Sequence, residues 1–537
     1  MASSDGTLVM GRLTRTREAL LSGRPMVALV AVLLTTGGHT MNLREMGVSQ
    51  GWVPAEVYSL QSAYLASLAV GMLACPAMAQ RWSCRRLAEW GLALLIFGAL
   101  MHVIEAWASL AEFLVGRVLA GLGAGMVIYS TPHLIDRSWR IGLASAFILC
   151  PVAGPAIVAL ATMLYETSDW RYGFLFEGVA AAVGLWALLS MRVSSEPQVP
   201  QAPQGSARYL PGFVIGTVAL IYTLHWGQLQ GWLESDDIRA AALLCITAYL
   251  VALWLAWPHL NWILVRENAI RLGLFFFGGF CQFFHGYLMN VYGGMIVNLS
   301  SWQRVLLILP LPVGMALSLT LLRLRWRSRQ LSLGIPGAVA GLLLMAHGLH
   351  LCYLYTLEWP YWDVRDAVDL NWFPAPGHWE LAPARFFMGL GIGLIMVSMD
   401  TKTSPDPERE TTVRPYLNIL QFFGGAIAAG ILINFLIIGH KLHYSYSAER
   451  DTIQAEELSQ RLTLLTETLQ SRGQPEPEHA AKVLLFRFIN YEADNLVFAS
   501  IYSVFFRTTL GLASSLACYW IGTRFRAYRR NRRAALF

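Results

Sequence analysis

The sequence predicts an all-α polytopic membrane protein. Fourteen transmembrane helices are expected, as two six-helix pseudo-symmetric bundles with two further helices inserted between them. Three observations carry that prediction. Of 537 residues, 55% are hydrophobic and only 14% charged, against about 25% charged in an ordinary soluble domain. Apolar runs long enough to cross about 30 Å of hydrocarbon recur along the whole chain. Finally, Glu112-x4-Arg117-x3-Gly121-Leu-Gly123-x-Gly125-x4-Ser130 returns, spacing for spacing, as Glu380-x4-Arg385-x3-Gly389-Leu-Gly391-x-Gly393-x4-Ser398. The match continues one helix later, where Gly154-Pro-Ala-Ile157 corresponds to Gly424-Gly-Ala-Ile427.

In chain order, six apolar segments lie near 25–43, 55–77, 87–107, 110–133, 141–164 and 172–191, giving an N-terminal bundle over 1–192. Pro197, Pro200 and Pro203 mark 193–208 as an extended cytoplasmic linker. Segments 209–229 and 238–257 are the inserted pair, within 209–257. The C-terminal bundle, 258–537, holds segments 272–297, 302–322, 331–355, 383–400, 414–438 and 497–522. It also holds an extracytoplasmic loop, 440–496, with helical signals. Leu458, Leu462, Leu465 and Leu469 form an apolar stripe, Gly473-Gln-Pro475 breaks it, and Leu484, Phe488 and Tyr491 resume it. That loop is either a projecting helical hairpin or a cap over the outer mouth. Trp359, Tyr361, Trp362, Trp372 and Trp379 suit an aromatic belt at the membrane interface.

Basic residues set the orientation. With the N-terminus cytoplasmic, Arg81, Arg85, Arg86, the Arg323–Arg329 cluster and the arginine-rich tail all fall inside. Short outer loops keep few, among them Arg44, Arg171, Arg239, Arg304, Arg365 and Arg385. The positive-inside rule is satisfied with both termini cytoplasmic. The net charge of +6 therefore reflects topology and not nucleic-acid binding. Arg12, Arg15, Arg17 and Arg24 precede the first apolar run, which is expected to stay as a spanning helix.

Some chemistries are excluded. The seven cysteines (Cys75, Cys84, Cys150, Cys245, Cys281, Cys352 and Cys518) form no Cys-x-x-Cys pair. They read as small hydrophobes, with neither a disulfide framework nor a metal site. No phosphate-binding loop and no nucleophile–base array occurs, so neither an enzyme nor a cofactor is expected. Duplicated apolar halves are instead how many transporters are built, with substrate between the repeats.

The ordered motifs resemble the major facilitator superfamily, specifically its fourteen-helix drug:proton antiporter branch. Arg117-x3-Gly121-Leu-Gly123-Ala-Gly125 resembles the family's arginine motif, and Gly154-Pro155 its antiporter motif. Trp170-Arg171-Tyr172 before Phe174 resembles the signature opening the sixth helix. Arg385 with its glycines, and Asn418-x5-Gly424-Gly425, follow the same branch. Three positions depart from it. The gate motif after helix two reads Pro76-x3-Gln80-Arg81-x-Ser83-Cys84-Arg85-Arg86, with Gln80 in place of the acid. Gly37 stands where helix one usually carries an aspartate, five residues before Asn42. Gln421 replaces an arginine of helix thirteen.

The resemblance implies a secondary active transporter working by alternating access: a proton-coupled exporter of amphiphilic small molecules in the bacterial inner membrane. Its implied partners are substrate, protons, the bilayer, a periplasmic adaptor and an outer-membrane channel. Export of one endogenous metabolite, such as a siderophore or lipid precursor, stays open. So does a non-transporting membrane scaffold or sensor on the same fold.

Arg117 leads the candidates, because a charge within a span costs roughly 2.5–3.5 kcal/mol on insertion scales and usually faces the bundle interior. It either biases a nearby acid or engages an anionic substrate, or it merely snorkels or pairs with Glu112. Without the helix-one acid, histidines become candidate proton carriers, since imidazole titrates near pH 6.5. His39, His225, His285 and His347 fall within spans, with Glu177 and Asp400 as alternatives near helix ends. Gly154, Pro155 and Arg385 are expected in gating. Asn42, Gln282, His285, Tyr287, Asn418, Gln421 and Arg507 are expected to line the substrate path. Arg507, about ten residues into the last span, is expected to have a partner or a cavity.

Overall fold

In a computed structural model, the described residues are 23–38, 43–104, 109–135, 140–164, 169–191, 208–260, 266–297, 299–300, 303–326, 334–357, 377–400, 407–453 and 455–534. His39, Asn42, the linker prolines and most of the aromatic loop lie outside them, as do the side chains of Asp400 and Leu458. The described elements are helical. They run α1 (Arg24–Gly38), α2 (Leu43–Gln50), α3 (Pro54–Met78), α4 (Cys84–Val103), α5 (Leu110–Leu134), α6 (Arg140–Leu164), α7 (Arg171–Leu189), α8 (Leu210–Trp226) and α9 (Asp236–Leu260). There follow α10 (Arg266–Met295), α11 (Arg304–Ile308), α12 (Pro310–Trp326), α13 (Gly334–Leu357), α14 (His378–Asp400), α15 (Pro407–Ile453), α16 (Ala455–Ser471) and α17 (Pro477–Ala534). A short 3-10 turn, Trp232–Glu234, joins α8 to α9.

Ten of these helices are long and apolar enough to cross a membrane, judged by length and composition. Shorter apolar stretches lie at Arg24–Thr36, Ser145–Ile157, Leu210–Trp226 and Arg304–Thr320. Helix starts follow local chemistry. Pro54 opens α3, where its missing N–H costs nothing, and the Val53 N–H donates to Glu56 Oε2 at 2.9 Å. Ser109 and Glu112 form a reciprocal capping box at α5: Glu112 N–H donates to Ser109 Oγ at 3.3 Å and Ser109 N–H to Glu112 Oε2 at 3.0 Å.

By density of contacts the chain forms two units, Met1–Phe284 with Lys402–Gly430 and His285–Thr401 with Ile431–Phe537. The boundaries cut through α10 and α15. In the first unit, α5 packs on α3 and α4, α4 also packs on α7, α1 lies against α6 and α7, and the inserted pair α8–α9 rests on α3. In the second, α14 packs on α12 and α13, and α13 on α17. The duplicated motif therefore performs one packing job twice. Methyl groups at Gly121 and Gly125 would strike the backbone of α3, and one at Gly123 that of α4. Gly389 is as tight against α12, Gly391 against α13, and Gly393 again faces α12. Gly154 abuts the Leu34 carbonyl of α1 and Gly424 the Phe276 carbonyl of α10, extending the equivalence to the next helix. Small residues here let backbones touch where lipid provides no hydrophobic drive.

Several boundaries differ from the sequence reading. The segment expected over 302–322 is broken at Leu309, ahead of Pro310. The loop expected over 440–496 is largely a continuation of its neighbours: α15 runs to Ile453 and α17 starts at Pro477. Polar residues there ended the apolar runs without ending the helices, because neither Pro nor Gly stands between Leu442 and Arg472. The hairpin turn falls where Gly473-Gln-Pro475 broke the pattern. Gly473 is left-handed (φ 73°) and Gln474 N–H bonds back to Leu469 O at 3.1 Å, as glycine-terminated helices do. Leu465 and Leu469 bury against Ala481 and Leu485, so α16 folds onto the start of α17. His440 Nδ1 lies 2.6 Å from Asp494 Oδ1 and His443 Nε2 lies 2.9 Å from Ser500 Oγ, tying α15 to α17.

Candidate functional site

Arg117 sits on the buried face of α5 and is wholly enclosed. Its Nη2 donates to Glu177 Oε2 of α7 at 2.8 Å. Its Nε donates to His102 Nε2 of α4 at 3.2 Å, and the guanidinium lies over the rings of Phe174 (4.7 Å) and Tyr64 (5.3 Å). Of the two structural alternatives, pairing with Glu112 does not occur: Glu112 is half-buried and spent on the helix cap. Glu177, placed among the alternatives at a helix end, is instead the buried partner, 1% exposed.

His102 was not singled out from the sequence. It lies one turn after Gly98 on α4, where Gly91 and Gly98 both press against α5, a glycine pair that could have pointed to it. Where Nε2 accepts from arginine, the imidazole proton sits on Nδ1, which donates to Gly98 O at 2.7 Å, and Nε2 also lies 3.1 Å from Phe113 O. Phe113 and Phe174 enclose the ring at centroid distances of 4.7 and 4.5 Å. Among the described residues, Arg117 Nη1 and Glu177 Oε1 have no hydrogen-bond partner. One donor and one acceptor thus stay open beside a buried ion pair, a place where a proton can change the charge balance.

A second polar cluster lies on α6, α10 and α15. Gln421 Nε2 donates to Gln282 Oε1 at 3.0 Å and to Phe147 O at 3.2 Å, while Gln282 Nε2 donates to Ile148 O at 3.3 Å. The Phe147 carbonyl is available because Pro151, four residues on, has no N–H to return. Gln282 and Gln421, both expected on the substrate path, are thereby brought together. Asn418 is half-buried one turn earlier, and Gly154 and Pro155 are buried in α6. A third link joins the inserted pair to this unit: Ser62 Oγ donates to Ala426 O at 2.7 Å and lies 2.9 Å from His225 Nε2.

The gate motif is mostly surface. Gln80, Arg81 and Arg86 are exposed. Arg85 is half-buried, pairs with Glu89 at 2.7 Å and donates to Met191 O at 3.1 Å, so an acid one turn along its own helix takes the place of the missing one.

In the second unit Arg385 is also wholly buried, and Arg304 nearly so. Both were counted with the outer loops yet stand at the starts of the expected segments 302–322 and 383–400, and both lie in helices, Arg304 Nη1 donating to Asn290 Oδ1 at 2.6 Å. His285 and Tyr287 are buried on α10, and His285 O accepts from Arg385 Nη1 at 3.4 Å. Arg507 corrects an expectation. It is exposed on α17 between exposed Val504 and Thr508, because an apolar run fixes a residue's depth along a helix but not its face. His347 is likewise exposed, edge-on to Phe387 at 5.2 Å. No group of His, Cys, Asp and Glu able to hold a metal occurs among the described residues.

No family model matches the chain. It is 25% identical over 265 residues to "Drug efflux pump JefA" of Mycobacterium tuberculosis, in strains CDC 1551 / Oshkosh and ATCC 25618 / H37Rv, covering 46% of this chain and 50% of theirs. The chain thus spans about half the length of the curated relatives it matches. Among solved structures, a POT family transporter in complex with a thioalcohol conjugated peptide aligns with TM-score 0.54 at 14% identity, over 92% of this chain and 96% of that one. One from a study of substrate recognition in proton dependent oligopeptide transporters aligns with TM-score 0.52 at 14% identity, over 93% and 98%. At such identities the likeness is one of fold: the chain shares the all-helical fold of these POT family transporters.

Proposed function

We propose that this protein is a proton-coupled secondary exporter of amphiphilic small molecules, working by alternating access in a bacterial inner membrane. In this reading the ten long helices and the four shorter apolar stretches make fourteen spans, with both termini cytoplasmic. The observation that carries the reading is the buried Arg117–Glu177 pair braced by His102. A buried pair of this kind is a poor device for stability, since desolvation consumes most of its attraction. It is a good device for coupling, because adding one proton to Glu177 removes one charge and leaves Arg117 uncompensated. The pair then breaks, and α5 is free to move against α7. In this chain Glu177 takes the role that the helix-one acid has in the resembling family. The partial likeness to a drug efflux pump supports export.

The decisive experiment uses proteoliposomes with an imposed pH gradient and an amphiphilic fluorescent dye. Glu177→Gln is expected to abolish gradient-driven accumulation while dye exchange without a gradient persists. Gradient-driven flux unchanged in Glu177→Gln removes Glu177 from coupling, and no flux in the wild-type protein removes the transporter reading. The α16–α17 hairpin is proposed as the docking element for a periplasmic adaptor. Deleting 448–478 should leave a folded, monodisperse protein that no longer retains the adaptor.

A further inference from the structure

The repeat places a second arginine, Arg385, in the same local frame as Arg117 but with different company. Gly98 of α4 meets the Gly116 carbonyl and Ala120, and Gly348 of α13 meets the Ala384 carbonyl and Met388, the repeat partners of that pair. His102 and Cys352 each follow their glycine by four residues, so Cys352 occupies the place of His102. On the other flank, Tyr502 of α17 stands against Arg385 as Glu177 of α7 stands against Arg117, with Tyr502 and Cys352 both near enough to interact electrostatically with the guanidinium. Tyr502 Oη is 3.9 Å from Met289 Sδ and Cys352 Sγ 4.0 Å from Met388 Sδ, so the remaining surroundings are soft and apolar.

Nothing in that set carries a negative charge near neutral pH. Arg385 is wholly buried, its one hydrogen bond is the 3.4 Å contact to His285 O, and Nε and Nη2 have no partner among the described residues. A guanidinium keeps its proton under all ordinary conditions. Enclosed in a span with no counter-charge among the described residues, it calls for one from elsewhere.

We infer that Arg385 is an anion-binding site in the second unit, taking the carboxylate or phosphate headgroup of an amphiphile through its free Nε–Nη2 edge. That edge is the planar fork that matches such headgroups in a bidentate manner. The inference deepens the export reading by naming the charge of the substrate, and it rests on that reading only for the step from bound anion to cargo. Lipid headgroups and free amphiphiles share this chemistry.

The test is binding to the full-length protein in lipid-stripped neutral detergent with no gradient, so it stands or falls separately from coupling. Dodecyl phosphate is expected to raise the melting temperature with the logarithm of its concentration, while an uncharged dodecyl glycoside does not. Arg385→Met should lose this response and, without anion, melt no lower than wild type, since it removes an uncompensated charge. Arg385→Lys should weaken the response about tenfold, having lost the fork. Should Arg385→Met fail to fold, Tyr502→Glu provides the second arm: an internal carboxylate should abolish the response. An unchanged response in Arg385→Met or in Tyr502→Glu overturns the site. Nanodiscs with and without phosphatidylglycerol identify the source. A response already saturated by the anionic lipid assigns the site to lipid, and one that persists assigns it to cargo.

Discussion

Arg117 and Arg385 occupy matched positions in two copies of one motif, yet the first pairs with a carboxylate and the second meets none among the described residues. Around both, glycines press one helix onto two neighbours in the same pattern. What changed is the pair of side chains that meets the cation: His102 and Glu177 in the first copy, Cys352 and Tyr502 in the second. Duplication preserved the packing frame and left the charge balance free to diverge. The frame is specified by backbone contact, which tolerates no added atom. The flanking positions need only fit their volume, so they can be exchanged without disturbing the frame.

The comparison can be broken most directly at its charges. Glu177→Ala should cost about 3–5 kcal/mol, because it strands a buried guanidinium, whereas Tyr502→Phe should cost only about 0.5–1.5 kcal/mol, the worth of one hydrogen bond; unfolding in mixed micelles compares the two. Equal costs would mean that both arginines are neutralised alike. The shared frame is tested next. Gly121→Ala and Gly389→Ala should each cost about 1–3 kcal/mol through overpacking, and tolerance at only one would show that the two ladders are not equivalent. The smallest expected effect is Ser62→Ala, at about 1 kcal/mol. It removes the hydroxyl that links α3 to the Ala426 carbonyl and to His225 of the inserted pair, a link with no counterpart to be expected in the second copy.

Much of the fold was legible because membrane segments announce themselves by length and composition. Each expected apolar segment has a helix, and the repeat located the tightest packing in both units. Depth was legible too: Arg117 was read as buried from its position within a span. Facing was not. Arg507 lies as deep in its apolar run and yet is exposed, on one helical stripe with Ser503, Gly511 and Ser514, so depth within a run did not fix its face. Partners were harder still. Glu177 lies 60 residues from Arg117, and His102, as a lone histidine at a helix end, carries no motif. The neighbouring glycine spacing, read against the second copy, was the only available clue. Long helices were underestimated because α15 and α17 leave their apolar stretches without a breaker.

That last feature has a mechanical consequence. Tyr502 and Pro477 are on one unbroken helix, separated by about 37 Å at 1.5 Å per residue. A stiff rod of that length turns a tilt of ten degrees at Tyr502 into a sweep of about 6 Å at its far end. A tilt imposed beside Arg385 would therefore reach the tip of the hairpin with no intermediate joint to absorb it.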